Sequence, residues 1–114
     1  MLNEGDLEQF TGTVNYFQHF TGIKYTDGVK YVAQSGSAYW LIDAIISHQT
    51  NPKVKAAPFQ IWELTVNSKS GILTVKEDSS EPILVEQELP YTDFPLQHIK
   101  LYLIDKVLML PSEY

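Results

Sequence analysis

Cysteine is absent from this 114-residue chain, and so is arginine, because all eight basic residues are lysines. Without cysteine there can be no disulfide, no thiolate nucleophile and no Cys-ligated zinc. The absence mildly favours a reducing compartment. Without arginine the chain lacks the planar fork that grips phosphates and guanine edges. Fourteen acidic residues against eight lysines give a formal charge of -6. That balance argues against nucleic-acid binding through a basic patch. No apolar stretch approaches the ~20 residues that a membrane helix needs. The N-terminal residues carry no basic segment followed by an apolar run, so no secretory signal is read there. A cytoplasmic protein with no membrane partner is expected.

Known catalytic signatures are also missing. There is no GxxxxGK[ST] phosphate loop, GxGxxG, HExxH, GxSxG or EF-hand loop. No metal and no cofactor is expected. His19, His48 and His98 share no ligand spacing. They read as structural or solvated unless the fold joins one of them to a carboxylate.

What is present is a globular composition, 44% hydrophobic and 19% charged, of a length that suits one domain over residues 1–114. Residues 3–10 read as a short helix, with Asn3 as cap, Glu4 and Asp6 at its positive end and Gly12 as its stop. Residues 13–20, β-branched and aromatic, read as a strand. Residues 23–34 admit two readings. Asp27-Gly28 between apolar runs signals a hairpin. The three-and-four spacing of Val29, Val32 and Ala33 signals a helix capped by Asp27, and that spacing favours the helix.

The clearest element is a helix over residues 38–49, with Ser37 as its cap. Ala38, Leu41, Ile42, Ile45 and Gln49 recur at helical spacing, and Asn51-Pro52 ends it. Residues 51–58 read as a loop. Four strands follow, over residues 59–66, 72–76, 82–89 and 99–110. Asp105-Lys106 marks a bulge or kink within the last of them. Short connections suggest that these strands are sequential and antiparallel. The expected fold is α+β: an antiparallel sheet of about four to five strands from the C-terminal half, covered on one face by N-terminal helices.

The segments Phe10-Thr11-Gly12-Thr13, Tyr25-Thr26-Asp27-Gly28-Val29-Lys30-Tyr31 and Tyr39-Trp40-Leu41-Ile42-Asp43-Ala44-Ile45 occur in order. Tyr91-Thr92-Asp93-Phe94-Pro95 and Leu110-Pro111-Ser112-Glu113-Tyr114 follow them. Together they resemble a family of small bacterial proteins without assigned activity, largely cyanobacterial and associated with mobile elements. The resemblance spans nearly the whole chain. It implies a single domain and supplies no chemistry.

The candidate site residues come from three places. Tyr91 and Asp93 lie in a loop joining two strands, where a carboxylate beside a phenol can accept a proton or a hydrogen bond. The structural alternative is a turn in which Asp93 bonds local backbone while Tyr91 and Phe94 pack. Trp40 and Asp43 share a helix face, and an acid in an apolar helix either marks a site or points to solvent. Glu113 and Tyr114 add a carboxylate and a phenol at the tail, or simply pin it. Two functions compete. One is a non-catalytic protein-interaction or regulatory module that binds a protein partner or itself through an exposed sheet edge or aromatic patch. The other is a small ligand binder or enzyme with a carboxylate/tyrosine site between the helix layer and the sheet.

Overall fold

The computed structural model describes residues 2, 4–11, 15–19 and 21–114. The roles read for Asn3, Gly12 and the side chain of Glu4 lie outside what is described, as do Thr13, Val14 and Phe20. In chain order the elements are α1 (Glu4–Leu7), β1 (Tyr16–Gln18), β2 (Lys24–Thr26), α2 (Asp27–Ser35) and α3 (Tyr39–Ser47). A 3-10 turn (His48–Thr50), α4 (Pro52–Lys55), β3 (Phe59–Asn67), β4 (Ser70–Lys76) and β5 (Val85–Leu89) follow. The chain closes with β6 (His98–Ile104), β7 (Val107–Met109) and a 3-10 turn (Pro111–Glu113).

Of the two readings of residues 23–34 the helix holds, over Asp27–Ser35; the hairpin does not form, because Asp27-Gly28 opens that helix directly after the short strand β2. Thr26 rather than Asp27 caps α2: its hydroxyl accepts the Val29 N–H at 3.3 Å. Asp27 instead accepts the Asn15 backbone N–H at 3.1 Å. Ser37 does not cap α3. It stands at φ +51 between the two helices, and Ala38 starts α3 with no side-chain cap. The buried face of α3 is Leu41, Ile42, Ile45 and Ile46, each contributing about 2 kcal/mol of burial before entropy costs. The expected loop at 51–58 holds a helical turn, because Asn51 accepts the Lys53 N–H at 2.9 Å and Pro52 opens it.

Among the described residues the sheet has seven strands in the order β1-β2-β7-β6-β3-β4-β5, not four or five. Two of them, β1 and β2, come from the N-terminal half, and β2 pairs with β7 in parallel; the other neighbours are antiparallel. The last expected strand is two. Asp105 and Lys106 sit at φ +50 and +63, closing a tight hairpin between β6 and β7 instead of a bulge. The strand order is not sequential either. After β5 the chain crosses the end of the β3–β4 hairpin, where Thr92 N–H donates to Lys69 O at 2.7 Å and Val66 N–H to Gln97 O at 2.8 Å. It then returns as β6 on the other side of β3, pairing from Phe59↔Ile104 to Thr65↔His98. With β4 on one side and β6 on the other, β3 is central in the sheet, and its inward side chains Gln60, Trp62 and Leu64 are buried.

One face of the sheet joins α2 and α3 in a single buried cluster that includes Val32, Ile45, Trp62, Leu73, Leu101 and Leu108. The helices share that cover with Phe94 and Leu96 of the crossing loop, which are 5% and 7% exposed. Among the described residues no helix is long and apolar enough to cross a membrane.

Candidate functional site

Three of the six candidate residues come together. Trp40, Tyr91 and Asp93 line a notch of about 200 Å³ with Leu89 and Thr92. Small-molecule pockets span roughly 300–1,000 Å³, so this notch is shallow. Tyr91 is 69% exposed and does not pack, contrary to the turn reading. The turn itself is held by Thr92 and not by Asp93: the buried Thr92 hydroxyl accepts the Phe94 N–H at 3.2 Å. Phe94 is driven inward and meets the Trp40 ring edge-on, with centroids 6.4 Å apart. Asp93 is left exposed at the rim.

Glu113 is elsewhere. Its carboxylate accepts the Thr26 hydroxyl at 2.6 Å, the Gly28 N–H at 3.2 Å and the Leu110 N–H at 3.0 Å. A carboxylate on the first N–H groups of α2 satisfies helix donors and complements the helix dipole. A Cβ at position 28 would meet Glu113 Oε1 at 2.5 Å and Leu110 Cδ1 at 2.6 Å, so any larger residue there has to displace those side chains. Glu113 is therefore a clamp between the C-terminal tail and α2. Tyr114 is 76% exposed and lies edge-on to Phe59 and Tyr102, with centroids at 5.5 and 5.8 Å. The loop and the tail thus serve separate surfaces, and Tyr91 and Asp93 do not meet Glu113.

Asp43 points outward from α3 and bonds His19 Nε2 at 3.0 Å. His19 Nδ1 faces the Thr21 hydroxyl at 3.0 Å and accepts the Thr21 backbone N–H at 3.3 Å. A backbone N–H only donates, so this contact puts the ring proton on Nε2, toward Asp43. Tyr25 belongs to the same neighbourhood. Burial raises its phenol above the usual 10.0, with Tyr39 and Asp43 adding to the rise. Ser47, one turn along α3 from Asp43, donates to Ala44 O at 2.7 Å. The other histidines also have partners. His48 bonds Gln87 at 2.6 Å and stacks on Trp62, and His98 is hydrogen-bonded to Glu63. Among the described residues no group of three or more His, Cys, Asp or Glu is placed to hold a metal ion.

Two features were not singled out from the sequence. The first is a cavity of about 440 Å³ whose lining includes none of the six candidates. The second is the sheet face turned away from the helices. There the register aligns Val107–Ile104–Phe59 in one row and Met109–Tyr102–Ile61–Lys76 in the next. These six apolar residues form one contiguous, half-buried corner. Phe59 and Tyr102 lie 5.0 Å apart within it, and the Tyr114 ring stands over them. Farther along the same strands the rows become Lys100–Glu63–Thr74–Glu86 and His98–Thr65–Ile72–Glu88. Strand alternation was legible from the sequence; adjacency of the rows depends on the β3–β6 pairing and was not.

A model described as a family of unknown function (DUF6876) matches residues 1–114. No curated protein and no solved structure matches the chain.

Proposed function

The chain belongs to that family of unknown function, and we propose that it works as a non-catalytic interaction module, pairing with a second copy through the apolar corner of its open sheet face. The observation that carries this is the contiguous set Phe59, Ile61, Tyr102, Ile104, Val107 and Met109, aligned by register on the face opposite the helices. Contiguous apolar surface rimmed by polar residues favours association over exposure to water. A two-fold interface presents the same patch on both partners, so an apolar corner flanked by charged rows is self-complementary. Charge supports the same surface. Among the described residues the strand positions of this face carry Glu63, Glu86 and Glu88 against Lys24, Lys76 and Lys100, a balance of zero within a chain of -6. Like-charged copies meet with least repulsion there. An accessory role on bacterial mobile DNA, implied by the resemblance above, suits a small module that acts by assembly.

Sedimentation velocity over a micromolar-to-millimolar series tests the proposal. The wild type sediments as a dimer at the upper end. Ile61→Lys, at the centre of the corner, sediments as a monomer. Ile83→Lys, which removes an exposed apolar residue outside the corner, keeps the dimer. A wild type that stays monomeric throughout overturns the proposal, as does an Ile61→Lys variant that still dimerises.

A further inference from the structure

The 440 Å³ cavity lies between the end of the helical layer and the sheet, apart from the apolar corner. Its volume falls within the roughly 300–1,000 Å³ range of small-molecule pockets. Ile23, Ile46, Ala57 and Leu103 give it an apolar lining. Its polar wall is closed on itself. The Gln49 and Gln60 amides each donate to the other's oxygen at 2.9 Å. Gln60 also donates to Val54 O at 2.9 Å and accepts the Trp62 indole N–H at 3.0 Å. Saturated in this way, the two amides hold the wall rigid and do not themselves solicit a ligand.

The unsatisfied groups are at the rim. Lys55 and Lys106 both line the cavity and are exposed. Among the described residues neither ammonium has an ion pair or a side-chain hydrogen bond. Among the described residues Asp105 is the acid that lines the same cavity, so two cations face one carboxylate there. A positive mouth on a chain of charge -6 runs against the overall field and selects for anions locally. The backbone that carries the two lysines is also held in place. Lys24 N–H donates to Lys106 O at 2.9 Å, which ties the hairpin turn to β2, and Lys55 N–H donates to Asn51 O at 2.9 Å within α4.

We propose that this cavity binds a small amphipathic carboxylate, with its hydrocarbon body over Ile46 and Leu103 and its carboxylate at Lys55 and Lys106. The site is independent of the self-association proposed above. Charge-assisted bonds from two ammonium groups supply selectivity for the anion, and the apolar lining supplies affinity for the body.

The test is an NMR titration of the full chain with octanoate and, separately, its uncharged counterpart octanol. Octanoate is expected to shift the Ile23 and Ile46 resonances and to bind more tightly than octanol. Lys55→Gln/Lys106→Gln weakens octanoate by about tenfold or more and leaves octanol unchanged. Thr50→Trp, which places an indole in the cavity from an exposed position, abolishes both. Tyr102→Lys, on the open sheet face, alters neither. Circular dichroism of each variant confirms that it is folded. The proposal is overturned if octanoate does not bind or shifts only the open face. It also fails if the double lysine variant binds octanoate as well as wild type does, or if Thr50→Trp retains binding.

Discussion

Glu113→Ala should destabilise the protein by about 1–4 kcal/mol. The carboxylate accepts three hydrogen bonds, from Thr26, Gly28 and Leu110. Thr26 is 0% exposed, so its hydroxyl proton loses its acceptor where water enters poorly. An orphaned buried donor costs about 1–3 kcal/mol. Removing a negative charge from the N-terminus of α2 costs about 0.3–1 kcal/mol more. For 114 residues the unfolding entropy is roughly 240 cal/mol/K, so the melting temperature should fall by about 5–17 °C. Thermal denaturation followed by circular dichroism measures this directly. Glu113→Gln, which keeps one acceptor oxygen, should fall between the two. Gly28→Ala displaces the same carboxylate, given the 2.5 Å approach of a Cβ to Oε1. The double variant Gly28→Ala/Glu113→Ala should therefore lose less than the sum of the single losses. If Glu113→Ala melts like wild type, or if the double variant is strictly additive, the clamp does not exist as described.

Leu41→Ala removes a side chain that is 2% exposed between the helix layer and the sheet; it should cost about 2–5 kcal/mol in guanidinium denaturation. Ser68→Gly should stabilise the protein by about 0.5–1 kcal/mol, because Ser68 opens the β3–β4 turn at φ +62, where glycine carries no steric penalty. Tyr25 holds its proton more tightly folded than unfolded. Its contribution to stability is thus complete below the unfolded value of about 10 and is lost as pH rises from there through the folded value. Tyr25→Phe should flatten the alkaline end of a stability–pH curve, and an ultraviolet titration should show one fewer late-ionising tyrosine.

Locally encoded features were legible in the chain, and those that depend on distant partners were not. The period of Leu41, Ile42 and Ile45 identifies α3, and alternation from Gln60 to Leu64 identifies β3, because each signal lies within its own segment. The β6–β7 hairpin escaped because Asp105-Lys106 lacks the glycine that usually marks such a turn, yet both residues adopt positive φ. The β2–β7 parallel pairing joins Lys24 to Val107 and Tyr25 to Leu108. No local pattern announces a contact of that separation. The same reason explains the sites. Glu113 and Asp43 stand out in the sequence as acids in unusual settings. Their partners, Thr26 at 87 positions and His19 at 24 positions away, are set by topology alone. The apolar corner was hidden for a related reason: each strand's outward residues are ordinary, and only the β3–β6–β7 register gathers them.

Met109 offers the most direct probe of the open face, since the chain has two methionines and this one lies in the apolar corner beside Tyr102. In an equimolar mixture of methyl-labelled and unlabelled chains, an isotope-filtered experiment detects Overhauser effects between copies only. Pairing through the corner predicts a cross-peak from the Met109 methyl of one copy to a Tyr102 or Tyr114 ring of the other, growing with concentration. A Met109 methyl whose shift is independent of concentration and that shows no such cross-peak would contradict the account.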